Sequence, residues 1–203
     1  MKTKAMNIKR VTVYASSSRA LDAIYYRAAK RLGQVLADAG LEIVYGGGGS
    51  GLMGTVADAA LSGGAAVHGV IPDFLHDLEQ GHQHLTSMEV VSDMRIRKQL
   101  MLNRGDAVVA LPGGCGTFEE LFEALTMKRL GYFLGPIILL NTNGYYDGCT
   151  QFLEQSVEQR FMARQHLAMW QLVSDPEQVT DAFNTAPDWS EDARQFCSVP
   201  ALA

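Results

Sequence analysis

Residues 107–131 read AVVALPGGCGTFEELFEALTMKRLG. The segment opens with an unbroken apolar run, AVVAL (107–111), and turns through PGGCG (112–116). It continues as FEELFEALTMKRLG (118–131), whose apolar residues recur with a helical period. A strand that is apolar throughout is one buried on both faces, as in a parallel sheet covered by helices on both sides. Glycine is costly inside regular structure. Its concentration at a strand-to-helix junction therefore marks a backbone that must turn sharply or be closely approached.

The same grammar repeats outward from this segment. Strand-like runs occur at RVTVYA (10–15), LEIVY (41–45), AAVHGVI (65–71), MEVVS (88–92), PIILLN (136–141) and WQLVSD (170–175). Helical periodicity fills the gaps at 20–40, 52–64, 94–105, 145–161 and 176–183. In the 145–161 segment Phe152, Leu153, Val157 and Phe161 share one face and are expected to pack. Regular alternation of this kind predicts an α/β fold, a single-domain Rossmann-like doubly wound parallel sheet with helices on both faces. Residues 1–184 are expected to form one nucleotide-binding domain and residues 185–203, which hold two prolines, a loose tail. In such a sheet ligands bind beyond the carboxyl ends of the strands.

Composition narrows the function classes. The chain has 203 residues, 47% of them hydrophobic, enough for one sizeable core. A net charge of −5 disfavours non-specific wrapping of nucleic acid. Cys115, Cys149 and Cys197 are too few and too scattered for a disulfide framework. MKTKAMNIKR at the start does not read as a signal peptide, and no apolar stretch is long enough to span a bilayer. A cytoplasmic protein with no membrane or nucleic-acid partner is expected.

A second glycine-rich junction, GGGGSG (46–51), follows LEIVY and contains Gly46, Gly47, Gly48 and Gly51. Helix N-termini expose unpaired N–H groups and the positive end of the dipole, and glycine lets a phosphate reach them. One loop is expected to hold a phosphorylated ligand, while the other serves packing or close approach. The spacing Gly46-x-Gly48-x-x-Gly51 also fits a dinucleotide fingerprint, but no acidic residue is well placed for the ribose, and Asp73 lies beyond Pro72. A mononucleotide is the better expectation.

Thr117 and Glu120 fit a capping box, T-x-x-E, and Glu119 suits a helix N-terminus; capping alone would account for these residues. The competing reading is chemical. A carboxylate beside a phosphate site repels the ligand, so an acid there makes better sense as a reacting group. In SDMRIRKQLM, Arg95 and Arg97 cannot both point one way on a helix, so one is expected to face the site and the other solvent.

Several ordered stretches resemble one family, LONELY GUY (LOG), the cytokinin riboside 5'-monophosphate phosphoribohydrolases long labelled possible lysine decarboxylases. PGGCGTFEEL resembles its P-G-G-x-G-T-x-x-E signature, VYGGGGSGLMGTVADAAL its glycine-rich segment, GVIPDFL its G-V-I-P strand end, and NTNGYYD its N-x-x-G-Y-Y segment. The resemblance implies Arg97 and Glu120 as the catalytic pair. It implies a substrate site of Glu79, Arg97, Lys98, Gly113, Gly114, Cys115, Gly116, Thr117, Phe118, Glu119, Glu120 and Thr126. It also implies a nucleoside monophosphate such as AMP as substrate, a homodimer or a multiple of it, and no metal or organic cofactor. A nucleotide-binding or sensing module without turnover is the alternative.

The chain departs from the pattern at Arg95, at Met127, Lys128 and Arg129, and at Ala15 to Ser18. Cys115 occupies the signature's variable position and is read as incidental. His76, Asp77, Glu79, His82 and His84 match no firm zinc spacing. A decarboxylase would need pyridoxal phosphate on a Schiff-base lysine, and Lys98 is the only lysine near the proposed site.

Overall fold

Seven strands form one all-parallel sheet in the order β4-β3-β2-β1-β5-β6-β7. They are β1 (Arg10–Tyr14), β2 (Glu42–Tyr45), β3 (Val67–Pro72), β4 (Ser87–Val91), β5 (Ala107–Ala110), β6 (Ile137–Leu140) and β7 (Gln171–Val173). The structure is a computed structural model and describes residues 7–76 and 81–196. The chain steps outward from β1 to β4, then crosses back to lay β5 on the other side of β1. Val11 pairs with Ile43 of β2 and with Ala107 of β5. The switch of direction therefore lies at the carboxyl end of β1, where an open α/β sheet leaves a crevice.

The helices are α1 (Ala23–Asp38), α2 (Gly51–Ser62), the single turn α3 (Asp73–His76), α4 (Met94–Arg104), α5 (Cys115–Arg129), α6 (Asp147–Glu158) and α7 (Val179–Thr185). Alternation along the strands sends successive side chains to opposite faces. Ile138 and Leu140 of β6 join the layer formed by Leu32 and Leu36 of α1, Leu52 and Val56 of α2 and Phe183 of α7. Ile137 and Leu139 join the layer formed by Met101 of α4, Leu121 and Leu125 of α5 and Leu153 of α6. Thr12 of β1, fully buried, donates its hydroxyl to the Met101 carbonyl at 2.7 Å and ties α4 to the sheet centre.

Three local expectations are corrected. Helix α5 starts at Cys115, not near Phe118, because Gly114 takes the extended N-cap conformation and lets Cys115 and Gly116 enter the first turn. Helix α6 starts at Asp147, leaving Tyr145 and Tyr146 in the preceding connection. Of its expected apolar face only Leu153 is buried; Phe152 and Phe161 are exposed, so the helix buries only a narrow stripe.

The described part of the C-terminal segment lies on the end of α5. The Trp189 indole donates to the Lys128 carbonyl at 2.7 Å, and Arg194 Nε donates to the Leu130 carbonyl at 3.0 Å. Lys128 is buried beneath this segment, with Nζ donating to the Gly135 carbonyl at 2.5 Å and lying 5.6 Å from the Trp189 ring centre. Burial lowers its pKa from 10.5 to about 8. The charged form is thus disfavoured in the folded chain, a penalty fully present below pH 8 and gone above about 10.5. Relative to Lys128→Met, the wild-type chain is expected to gain stability as pH rises from 8 towards 10.5. The gain should reach about 3 kcal/mol at ~1.4 kcal/mol per pKa unit, read from denaturant melts of both proteins across that range. A pH-independent difference would contradict it.

Candidate active site

Both glycine-rich loops flank β1 at the switch point, but they are built differently. The first, after β2, is buried from Gly46 to Gly48 and its carbonyls are engaged. Gly46 O accepts from Arg97 Nη2 at 2.7 Å, Gly47 O from the His82 amide at 2.9 Å, and Gly48 O from the Tyr45 hydroxyl at 3.2 Å. The amides of Leu52 and Met53, at the start of α2, donate to the Ser16 carbonyl at 2.8 and 3.2 Å. Gly51, at φ +63°, sits so close to Ser16, Ser17 and Ser18 that a side chain there would collide with their backbone. The N-terminus of α2 is therefore occupied by the chain's own β1–α1 loop.

The second loop, after β5, is open. Gly114, Cys115 and Gly116 are exposed, and a Cβ at Gly114 or Gly116 would meet nothing within 4 Å. Phe118 is the first α5 residue whose amide reaches a carbonyl of the helix, that of Gly114, at 3.0 Å. The amides before it belong to the turn that has no acceptor within a helix. A packing role does not explain glycine at 114 and 116.

The N-cap at Gly114 also removes the capping-box account of Thr117 and Glu120. Thr117 stands inside the first turn and Glu120 one turn later, both facing inward, 5% and 9% exposed. Glu120 is a carboxylate buried beside the two tyrosines whose hydroxyls it helps to keep protonated. Tyr14, at the end of β1, has its pKa raised by burial and then by Glu120 and Glu123. Tyr146 is raised by burial, then by Tyr145, Cys149 and Glu120.

Arg97 comes from α4, whose start is fixed by Asp93: its carboxylate accepts from the Arg95 and Ile96 amides at 2.8 and 3.0 Å. Arg97 is 4% exposed and donates from Nε to the Val70 carbonyl at 3.1 Å as well as to Gly46. Arg95 is exposed, so the two arginines divide as their spacing requires. Lys98 bridges to α5, with Nζ 2.7 Å from Glu119 Oε1 and 3.0 Å from Glu123 Oε2. This bridge links the helix carrying Arg97 to the helix carrying Glu120. Gly46 follows Tyr45, which pairs with Val13, so Arg97 over Gly46 and Glu120 beside Tyr14 stand over neighbouring strand ends.

A sequence family described as "Possible lysine decarboxylase" matches residues 53–183. A cytokinin riboside 5'-monophosphate phosphoribohydrolase of Rhodococcoides fascians is 44% identical over 155 residues, 76% of this chain and 78% of the relative. One of Arabidopsis thaliana is 39% identical over 163 residues, 80% of this chain and 75% of the relative. The chain belongs to this family, LOG. The molybdenum cofactor carrier protein of Chlamydomonas reinhardtii has the same fold, with a TM-score of 0.64 at 19% identity over 86% of this chain and 94% of that one.

Set against the LOG signature, the structure gathers Arg97, Gly113, Gly114, Cys115, Gly116, Thr117, Phe118 and Glu120 at the switch point. Lys98 and Glu119 are there too, but paired with each other. Thr126 is exposed and six residues beyond Glu120, about 9 Å along the helix axis. Glu79 lies outside the described residues. Sequence reasoning missed Tyr14, Tyr145 and Tyr146 as site components, although the GYY of the LOG-like NTNGYYD stretch carried the signal for two of them.

The lysines do not suit the lysine decarboxylation that the family's name suggests. A Schiff-base lysine must be available as a neutral amine. Lys98 has its pKa raised by its hydrogen bond to Glu119 and by Glu123. Lys128, whose pKa is lowered, is buried at the far end of α5 against Gly135. Among the described residues no group of three or more His, Cys, Asp or Glu side chains is placed to hold a metal ion, and His82 Nε2 lies 3.0 Å from Asp58.

A Cβ on Gly46 would overlap the buried Arg97 guanidinium. Gly46→Ala is accordingly expected to displace Arg97 from its carbonyl partners and, by leaving a buried charge unmet, to lower stability by about 3 kcal/mol, read from denaturant melts. A crystal structure of the variant with Arg97 still bonded to residues 46 and 70 would refute this.

Proposed function

We propose that this chain hydrolyses the N-glycosidic bond of a nucleoside 5'-monophosphate, a cytokinin riboside 5'-monophosphate or AMP, giving free base and ribose 5-phosphate. The observation that carries the reading is Glu120, a buried carboxylate with no capping task, one turn into a helix whose glycine N-terminus is open. The names of the LOG relatives point to the same reaction.

The loop Gly113 to Thr117 anchors the 5'-phosphate through backbone amides and the α5 dipole. The ribose then lies over Glu120. As the bond to the base lengthens, positive charge grows on the sugar ring, and a nearby carboxylate stabilises it or takes a proton from the attacking water. Arg97, held by two carbonyls, orients Glu120 and the substrate. Glu79 is assigned to the ribose hydroxyls by its place in the LOG pattern. Lys98 reaches substrate only by exchanging a carboxylate partner, so its main contribution is to hold α4 against α5.

Glu120→Gln preserves shape and removes the charge. It is expected to lower ribose 5-phosphate release by at least about 100-fold while leaving AMP binding and the melting temperature near wild type. Full activity in that variant would refute the assignment. Wild-type protein that binds AMP and releases no ribose 5-phosphate would identify a nucleotide sensor instead.

We further infer a cytoplasmic homodimer. Cys115 and Cys149 are free thiols, as suits a reducing compartment. Between α4 and α5 runs a groove of about 790 Å³ with Leu102, Met127, Phe133 and Leu134 in its wall, and Tyr132 beside them is 71% exposed. A second copy of the chain is the occupant assigned to it. Light scattering is expected to give the mass of two chains, and Leu134→Arg with Tyr132→Glu to give the mass of one. A monomeric wild type would overturn the assembly but not the chemistry.

A further inference from the structure

The two tyrosines that precede α6 both reach the phosphate-loop candidate. Tyr145 Oη donates to the Gly113 carbonyl at 2.5 Å, and Tyr146 Oη donates to the Leu111 carbonyl at 2.7 Å. The carbonyls two residues apart, on either side of Pro112, are thus held by adjacent hydroxyls from another connection. The Leu111 amide still pairs with the Tyr14 carbonyl at 2.9 Å, but proline supplies no N–H of its own, so the turn has no donor at Pro112 with which to continue that pairing.

The arrangement is built, not incidental. Tyr146 is fully buried and its amide donates to Asn141 Oδ1 at 2.7 Å; Asn141 Nδ2 donates to Asp147 Oδ1 at 2.7 Å. The rings stand perpendicular, with centres 5.3 Å apart. Phe118, from the first turn of α5, stacks on Tyr145 at 6.3 Å and 20° and meets Tyr146 edge-on at 6.1 Å. The tyrosine pair therefore grips the loop by its carbonyls and the helix start by an aromatic contact.

In a trans peptide the C=O and the following N–H point opposite ways. With the Gly113 carbonyl turned onto Tyr145, the Gly114 N–H must point away from it. We propose that Tyr145 is a positioning residue that sets the direction of the Gly114 amide, and that Tyr146, which holds the Leu111 carbonyl ahead of Pro112, is a positioning residue that anchors the root of the same loop, so that the loop is pre-arranged for a phosphate monoester before the ligand arrives. The ligand class rests on the hydrolase reading; the grip itself rests on the two hydroxyl contacts. Burial, with Tyr25 close to Tyr145, raises the pKa of both phenols, so both remain donors when a dianion binds.

The test compares AMP with adenosine, which lacks the phosphate. Both are titrated calorimetrically into Glu120→Gln protein, to suppress turnover, with and without Tyr145→Phe or Tyr146→Phe. Each Phe variant keeps its ring contacts and loses one hydroxyl. AMP affinity is expected to fall about three- to tenfold, the loss of one buried hydrogen bond, while adenosine affinity stays within about twofold on the same scale. Equal losses for both ligands, as a merely structural role would give, or an unchanged AMP affinity, would overturn the proposal. Should Tyr146→Phe not fold, the partly exposed Tyr145 carries the test. Ribose 5-phosphate release by the wild type, measured in parallel, separates the two readings. Selective loss without release supports the grip and refutes hydrolysis, and release without selective loss does the reverse.

Discussion

A guanidinium buried at the end of a parallel sheet is the constraint around which this molecule is arranged. Charge taken out of water must be met by oriented polar groups. Here the carbonyl of Val70, within β3, and that of Gly46, just past β2, accept from it. Those carbonyls accept from Arg97 only if no side chain stands between, which accounts for glycine at 46. They are in reach only if α4 enters at the right height, which Asp93 secures by capping it. The bridge from Lys98 to Glu119 and Glu123 then ties α4 to α5, whose own place is set by Leu121, Ala124 and Leu125 in the core.

The two glycine loops share position, composition and local order, yet do opposite work. Around Gly46 to Gly51 the backbone is folded inward and bonded to its own chain, and glycine serves contact between parts of the protein. Around Gly113 to Gly116 the same residue type leaves a helix end uncovered. What distinguishes them is the company each keeps in three dimensions: the β1–α1 loop lies across the first, while two phenols draw the second back by its carbonyls.

The strand-and-helix alternation was legible because buried parallel strands are written as plain apolar runs, and all seven were read within a residue or two. The division between Arg95 and Arg97 followed from helical spacing alone. Less accessible was the start of α5. Thr117 and Glu120 spell a capping box that the backbone does not use, because Gly114 already takes the extended conformation and the helix begins earlier. Phe152 and Phe161 misled because a periodic apolar face does not say how much sheet is there to cover it. Tyr145 and Tyr146 were absorbed into a helix, since no local rule tells a hydroxyl that its acceptor lies more than 30 residues away. The pairing of Lys98 was hidden because its two carboxylate partners sit on a helix distant in sequence.

The cover over α2 is made of a main-chain oxygen. Ser16 meets the Leu52 and Met53 amides through its carbonyl, which every amino acid possesses, and not through its hydroxyl. The contact with α2 is therefore independent of the side chain at 16 and exacting at Gly51 opposite, while the Ser16 and Ser18 hydroxyls hold the loop itself by accepting from the Ser18 and Ala20 amides at 3.1 and 3.3 Å. The replacement of the family's C-G-S-S by Ala15 to Ser18 is the sort of change such a joint absorbs, leaving the rim of the crevice able to diversify while the scaffold beneath stays put.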